Sequence, residues 1–564
     1  MMNKFDYYLE KIATNKKSHF WFFFAALTVL SLVMMYLYQP LCPGHDFFFH
    51  YRRLEALMDG IKTSPFLIYL DYNAMDGYGY FTKAFYSDLI LIPFAIIGNF
   101  TSLSFAYQSI IFTSTILTGV FTYIAVNRIY NNSYAASIGA LLYTFALYRL
   151  LDAYQRAALG ETLSFMFVPV VILGLYHIIK GDYKKWYIIA IGFSLLIFTH
   201  LVSTVLMFLT VVIILVIYYK PLLKEPKRIL FLCIAGLSTI FITAYYLFPM
   251  IEQMLSNTFY FESRQIMSKA SEAGLQVHWV VWGMFSGIIP SIIAFNPGTG
   301  LLLTCAIALR IFVHGKSPQL KSIDIGVIIG LVYLFASTHY FPWKIFPFNM
   351  LEFIQMGWRL FEFSSFFFAV AGGFYLSQIL KSNKRLLIGF MVICVSIVLV
   401  LENDAIMYKK WRCGGSITQE ASSSFDYHLG GLEYMPSKVP SIEYARLRGD
   451  SIKTMYAETQ ISNRSRQNEV TRFDIKTDKP EKLELPLLYY KGYRAVIDSE
   501  KLPIPIEESE NGLVSITVER SGHVDVYYYG TFVQRLSYLI TLISIIGLCI
   551  YIIREKRIRI KKSK

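Results

Sequence analysis

Apolar residues recur along the chain in runs near twenty residues long, the length a helix needs to cross a bilayer. Such runs cover residues 20–38, 105–126, 134–150, 162–179, 188–200, 201–218, 229–249, 298–313, 324–338, 360–380, 386–401 and 533–553, predicting about 12 transmembrane helices. Two further apolar stretches, 86–98 and 284–296, are too short to span and read as interfacial or re-entrant segments. Between the last two spans the period changes. Val514, Ile516 and Val518 alternate with Ser515, Thr517 and Glu519, and the alternation resumes at Val524, Val526 and Tyr528 after Ser521 and Gly522. A period of two with a turn predicts a β-hairpin, and LELPLLYYKGYRAVID predicts a second strand pair across Lys491 and Gly492. The expected fold class is an α-helical polytopic membrane protein with a β-rich, sandwich-like domain near the C-terminus. Its expected parts are a transmembrane module over 1–401 with a large first loop at 39–104, the β-rich domain at 402–532, and a last span with its tail at 533–564.

Composition narrows the class. Of 564 residues 55% are hydrophobic and 16% charged, and the mean hydropathy is +0.45. That excludes a disordered chain, which needs few apolar residues and many charges. The net charge of +14, from 53 Lys and Arg against 39 Asp and Glu, would by itself point to nucleic acid. Its placement points elsewhere. With the N-terminus inside, every inner loop is basic, and the inner segments hold 25 of the 53 basic residues and 5 of the 39 acidic ones. This follows the tendency of Lys and Arg to stay cytoplasmic. The charge then reports insertion into an anionic bilayer, with no nucleic-acid partner. The expected location is a bacterial cytoplasmic membrane, with both termini cytoplasmic and the first loop and β-rich domain outside. Counting 86–98 as a span would place the loop 151–161 inside and break the pattern. The run from Phe20 to Tyr38 is too long for a signal-peptide core and lacks a small-residue cleavage site, so it is expected to remain as the first span.

The six cysteines show no CxxC pair and no metal-ligand spacing. Cys42 and Cys413 fall on the same side of the expected topology, which leaves a bridge between them open.

The first loop opens CPGHDFFFHYRRLEALMDGIK, where Asp46, His50 and Arg53 recur at i, i+4 and i+7 on one helical face. A carboxylate, an imidazole and a guanidinium together supply a base, a proton partner and a phosphate clamp. The plainer reading makes Asp46 a helix N-cap above a solvated face. In LDAYQRAALGETLSF, Arg156 and Glu161 sit at the outer ends of two spans. An arginine placed outside against the charge bias calls for an anion, either Glu161 itself or a polyprenyl phosphate. His200, Glu252, Gln355 and Arg359 also fall at outer span ends, so polar groups from several segments are expected on one face.

In GHDFFFHYRR, GYGYF, QRAALGE, FTHL, LFPMIE and IQMGWRLFEF, and in LEYMP and LPLLYYKGYRAVI of the β-rich region, the chain resembles the GT-C fold glycosyltransferases. The nearest branch is the bacterial YfhO-like family, carried under the label of a membrane protein related to 6-pyruvoyl-tetrahydropterin synthase. The resemblance covers nearly the whole chain. It implies an enzyme that moves a sugar, with inversion, from a polyprenyl-phosphate-linked donor to an extracytoplasmic acceptor such as teichoic or lipoteichoic acid or a surface polysaccharide. It also implies an acidic general base in the first outer loop, and Asp46 holds that position. Arg156 and Arg359 are then the expected phosphate clamp, joined by Arg53, with His50 orienting Asp46. His45 precedes Asp46 where other GT-C members carry a paired acidic motif. A divalent cation, Mg or Mn, would therefore have to be held by His45 and Asp46. Pterin synthase chemistry is not expected, because its zinc-binding histidine cluster is missing.

The competing readings are a transporter or flippase of lipid-linked saccharides and a non-catalytic envelope scaffold. A transporter would carry polar residues mid-membrane, often in repeated halves, whereas the charges here gather at span ends and no repeat is seen.

Overall fold

The computed structural model describes residues 12, 14–63, 70–264, 268–290, 295–413, 432–467, 469–498 and 504–563. Among them seven helices are long and apolar enough to cross a membrane: Lys16–Leu37, Leu103–Tyr130, Ser133–Gln155, Pro318–Ala336, Gly357–Ile379, Asn383–Arg412 and Phe532–Lys561. Their starts are written locally. Asn15, Ser102, Ser317 and Ser382 each accept a hydrogen bond from a backbone N–H of the first turn, satisfying donors that the helix itself leaves open.

The count falls short of twelve because several apolar runs are broken. Residues 229–249 form a pair, Lys227–Ile242 and Ala244–Ser256, bent by 71°, which makes eight spans if taken as one. At the break the Thr243 hydroxyl donates to the Thr239 carbonyl at 2.8 Å, a side-chain bond that competes with the helical ladder. The runs expected at 162–179, 188–200, 201–218 and 298–313 yield the short helices Val168–Ile179, Tyr187–Ile197, Leu201–Ile217 and Gly300–Ala308. Of the two short stretches, 86–98 gives Ile92–Phe100, which leaves Ile96, Ile97 and Phe100 exposed. Around 284–296 the helix Val277–Ser286 stops at Gly287 and a two-residue ladder follows, β1 (Ile289–Pro290) with β2 (Phe295–Asn296); residues 291–294 lie outside the described set.

Ser133–Gln155 and Gly357–Ile379 form the centre of the helical module, with 94% and 89% of their apolar windows buried. A Cβ on Gly373 would stand 2.4 Å from the Ala135 carbonyl and 2.6 Å from the Gly139 nitrogen. Glycines at that crossing let the two backbones touch, the usual device for close helix contact in lipid. The Asn383–Arg412 helix runs eleven residues beyond the expected boundary at 401, because Asp404, Ala405 and Tyr408 keep packing inward. It ends beside Cys413, which is disulfide-bonded to Cys42 with Cα atoms 5.6 Å apart.

Eight strands make the β-rich region: β3 (Lys453–Thr454), β4 (Gln460–Gln467), β5 (Val470–Lys476), β6 (Glu481–Leu488), β7 (Tyr493–Ile497), β8 (Ile506–Glu508), β9 (Leu513–Val518) and β10 (Gly522–Tyr528). They form two antiparallel four-stranded sheets, β4-β5-β10-β7 and β3-β6-β9-β8. One core joins their inner faces, with Phe473, Ile475, Val524 and Val526 from the first sheet against Leu483, Leu485, Val514 and Ile516 from the second. The expected hairpins are corrected here. β9 and β10 belong to different sheets, and so do β6 and β7. Alternation marks which residues face inward and is blind to the partner strand; these turns carry the chain across the sandwich rather than back along one sheet.

The sandwich is seated on the helical module. The Leu488 N–H donates to the Tyr78 carbonyl at 2.9 Å, Tyr260 N–H to the Met435 carbonyl at 3.0 Å, and the Gln253 amide to the Lys491 carbonyl at 2.6 Å. Tyr80, Phe81, Phe259, Met435 and Tyr490 share a buried cluster across this junction.

Candidate functional site

A kink in the backbone creates the site. The Ser133–Gln155 span ends in a π-helical turn, Leu151–Gln155. Ala157 then takes φ 54°, a left-handed value that costs a non-glycine residue energy, before Leu159–Ser164 resumes the helix. The reversal swings Arg156 and Glu161 towards each other. Arg156 Nη1 donates to Asp152 Oδ1 at 2.6 Å and to Glu161 Oε2 at 2.8 Å. Glu161 Oε1 accepts the Tyr148 hydroxyl at 2.6 Å, and Arg156 lies over the Trp358 ring, 4.9 Å from its centroid.

The first loop docks on this reversal. A Cβ on Gly44 would lie 2.7 Å from the Tyr154 carbonyl oxygen and 2.8 Å from Ala157 Cβ, so only glycine lets the strands of chain approach. The Asp46 N–H donates to the Arg156 carbonyl at 2.8 Å, and the Asp46 carbonyl accepts from His50 N–H at 3.2 Å, opening the Phe47–Thr63 helix. Asp46 is thus at the expected helix start. Its carboxylate is partly buried and, among the described residues, engages in no ion pair or hydrogen bond. Burial raises its carboxyl above the ordinary value, Arg156 and Arg359 pull it back, and Glu161 adds to the rise.

Arg359 closes the cluster. Its Nη2 donates to Gln355 Oε1 at 2.9 Å and its Nη1 to the Ile354 carbonyl at 3.3 Å. Its Nε stands 3.5 Å from Glu161 Oε2 and is buried without a hydrogen-bond partner among the described residues. Gln355 reaches it from a strained backbone, φ 67°. Burial pushes Glu161 up, but Arg156, Arg359 and the Tyr148 hydroxyl outweigh it and hold the carboxyl down at about 2.

His200 sits one layer behind. Its Nδ1 accepts from the Ser203 N–H at 3.2 Å, capping the Leu201–Ile217 helix. The Ser203 hydroxyl donates to Glu362 Oε2 at 2.8 Å and Ser164 to Glu362 Oε1 at 2.6 Å. Asp152, Tyr148, Trp358 and Glu362 were not among the expected site residues. The two carboxylates stand inside or beside apolar runs, and a buried acid in such a run is the signal that would have singled them out.

Four expected residues are placed elsewhere. Arg53 is spent on Asp88, with Nε 2.5 Å from Oδ1, and on the Ser87 carbonyl at 2.7 Å, so its charge is compensated away from the clamp. His50 presents Nδ1 to Arg53 Nη1 at 3.3 Å rather than to the Asp46 carboxylate; burial first, then Arg53, keeps its imidazole neutral. Glu252 is a strut to the sandwich, 3.1 Å from Lys491 Nζ and bonded by the Thr531 hydroxyl. His45 binds Arg412 through Nε2 at 2.7 Å, and burial with the fields of Arg412 and Arg156 lowers it to about 4. The donor set does not fit a divalent cation. Asp46 and His45 face guanidinium groups, and among the described residues no group of three or more His, Cys, Asp or Glu could hold a metal ion.

Beside the cluster lies a cavity of about 360 Å³. His45, Gln155, Asn403 and Arg412 give it a polar mouth, and Leu142, Leu302 and Leu399 are among its apolar walls.

A protein of Lactococcus lactis subsp. cremoris (strain MG1363), described as uncharacterized, is 23% identical to the chain over 598 residues, covering 97% of each. No family model matches the chain, and no solved structure matches it.

Proposed function

We propose that the protein is an inverting glycosyltransferase that moves a sugar from a polyprenyl-phosphate-linked donor to an acceptor outside the cytoplasmic membrane, a cell-surface glycan or polymer, with Asp46 as the general base. The observation that carries this reading is the contrast among the carboxylates. Asp152 and Glu161 are paired with Arg156 and Glu362 is held by two serines, whereas among the described residues Asp46 has neither a hydrogen bond nor an ion pair on its carboxylate. A partly buried, unengaged carboxylate in the field of Arg156 and Arg359 is suited to take a proton next to a departing anion.

The reaction follows from those roles. The acceptor oxygen attacks the anomeric carbon while its proton passes to Asp46. The bond from that carbon to the phosphate oxygen breaks on the opposite face, and the polyprenyl phosphate leaves with the electron pair. Arg156 and Arg359 stabilise its growing charge; Arg359 Nε, ion-paired with Glu161 but without a hydrogen-bond acceptor among the described residues, is a donor in reserve for it. Glu161 and Asp152 hold Arg156 in place between turnovers. Sidedness follows from the basic segments: a site at the end opposite them meets lipid-linked rather than cytosolic nucleotide-linked sugars.

Replacing Asp46 with Asn tests the reading. With normal membrane insertion and an unchanged melting temperature, glycosylation of the surface polymer is expected to fall roughly 100-fold or more, the worth of a general base. Full glycosylation by Asp46→Asn would remove the base from the mechanism.

A further inference from the structure

The ionic cluster occupies one end of the two central helices, and a polar pocket of about 300 Å³ occupies the other. The Ser133–Gln155 span has Arg156 just beyond its last turn and its N-cap, Asn132, in the pocket wall. The Gly357–Ile379 span has Arg359 and Glu362 near its start, whereas Phe374 and Gln378, near its end, line the pocket. Four long helices begin around this pocket. Asn15 caps Lys16–Leu37, Asn132 caps the helix that starts at Ser133, Gln319 lies in the first turn of Pro318–Ala336, and Asn383 opens Asn383–Arg412. Each brings the positive end of a backbone dipole, equivalent to about half a charge, and N–H groups that the helix leaves open. The sequence neighbours Lys17, Arg128, Lys321, Lys384 and Arg385 make this the basic end of the molecule.

Helix starts alone do not make a site, and two further features define this one. Among the described residues no carboxylate lines the pocket; the wall is one lysine with amides, hydroxyls and aromatic rings. That lysine, Lys16, donates from Nζ to the neutral Asn131 Oδ1 at 3.0 Å and has no ion pair among the described residues. His19 also lines the pocket. Its ring leans on Tyr134, with centroids 4.4 Å apart, and its Nε2 donates to the Ser133 carbonyl at 3.1 Å. His19 is 2% exposed, and among the described residues its Nδ1 is buried without a hydrogen-bond partner. With Nε2 as the donor, Nδ1 of the neutral ring is an acceptor, and leaving it unmet costs free energy that a ligand hydroxyl returns.

We propose that this pocket binds a phosphate ester carrying a free hydroxyl, of the glycerol phosphate kind, with the phosphate against Lys16 and the helix starts and the hydroxyl donating to His19 Nδ1. The converging dipoles and the lysine call for an anion. The unmet acceptor calls for a donor on the same molecule, and the amides of Asn131 and Gln378 add partners for further hydroxyls. A volume of about 300 Å³ is at the small end of the range for ligand sites, roughly 300–1,000 Å³, and suits a headgroup rather than a nucleotide. The same chemistry is offered by a phosphatidylglycerol headgroup and by free glycerol 3-phosphate. The site is separate from the glycosyl-transfer chemistry and does not depend on it.

The test uses the full chain. In phosphatidylcholine nanodiscs doped with phosphatidylglycerol or with phosphatidylethanol, an anionic lipid without the free hydroxyl, retained lipid is counted by native mass spectrometry; in detergent, free glycerol 3-phosphate is scored by thermal shift. Phosphatidylglycerol is expected to be retained above phosphatidylethanol. Gln378→Glu changes an exposed side chain with its shape kept and puts a carboxylate in the wall; it is expected to weaken binding roughly tenfold through like-charge repulsion. His19→Phe keeps a ring against Tyr134 and removes the acceptor, and is expected to erase the preference for the hydroxyl-bearing lipid. Lys224→Gln, outside the wall, lowers the net charge by the same one unit and is expected to bind as the native chain does. Stabilisation by free glycerol 3-phosphate would assign a soluble ligand, and retention of phosphatidylglycerol without that stabilisation would assign a lipid headgroup. Binding of neither would overturn the proposal, as would equal retention of the two lipids or undiminished binding by Gln378→Glu.

Discussion

Glu161→Gln is the perturbation with the clearest consequence. The substitution keeps the shape of the side chain and removes its charge. In the native protein Glu161 is 1% exposed, with Arg156 Nη1 at 2.8 Å and Arg359 Nε at 3.5 Å on Oε2 and the Tyr148 hydroxyl on Oε1. Without its charge Arg156 keeps Asp152, but Arg359 loses the carboxylate it faces. Breaking one partner out of a buried ion cluster costs about 3–5 kcal/mol, because the remaining charge stays buried without compensation. Linkage gives a second route to the magnitude. Holding the carboxyl from 4.5 down to about 2 corresponds to roughly 3 kcal/mol at 1.36 kcal/mol per pH unit. The sign follows from a depressed folded-state value. This stability is present above the unfolded value near 4.5 and is lost as the pH falls towards 2. The native chain is therefore expected to lose melting temperature on acidification through that window, and Glu161→Gln to be less stable at neutral pH and flatter in the same window. The assay is thermal unfolding of the detergent-solubilised full chain between pH 7 and pH 3. The double variant Glu161→Gln with Arg359→Gln should recover part of the loss, since it removes the stranded charge. A single variant within about 0.5 kcal/mol of native stability, the range of an ordinary surface change, would refute the account of the cluster.

Three further outcomes follow from the site. Gly44→Ala places a methyl against backbone atoms of Tyr154 and Arg156 that have little room to yield; glycosylation is expected to fall at least tenfold while the protein still inserts, and native activity would show that the loop does not need this approach. The Cys42–Cys413 disulfide ties the first loop to the Asn383–Arg412 helix. In intact cells a membrane-impermeant maleimide should label these two cysteines only after reduction, and labelling confined to inverted vesicles would reverse the proposed sidedness. Because the Asp46 carboxyl is held above its ordinary value, activity on the acid side should fall off at a higher pH than an unperturbed carboxylate would give, and Arg359→Gln should move that limb further up by removing a charge that pulls it down. A pH profile unmoved by Arg359→Gln would disconnect the two groups.

What the sequence made legible was local. Helix starts and inward-facing strand residues could be read because Asn15, Ser102 and the alternation at Val514 to Val518 act within a few positions of themselves. Asp46, Arg156, Glu161 and Arg359 could be grouped because each is a polar residue at the end of an apolar run. What stayed hidden depended on partners distant in sequence. Arg53 looks like a clamp until Asp88, 35 residues on, is seen against it. Glu252 looks like a site residue until Lys491 arrives from the sandwich. β9 and β10 look like a hairpin until β6 and β5 claim them from opposite sheets. Fewer than twelve helices reach spanning length among the described residues, for a related reason. Hydropathy registers apolar length but not the breaks at Thr243 or before Pro169 that divide a run into shorter helices.

The site's position on the fold has one more consequence. His45 and Gln155 line the cavity, whereas their neighbours Asp46 and Arg156 belong to the ionic cluster. The two pairs are joined by the single bond from Asp46 N–H to the Arg156 carbonyl. A shift of the first loop therefore moves His45 at the cavity and Asp46 in the cluster together, and Gly44 and the left-handed Ala157 flank the bond that joins them.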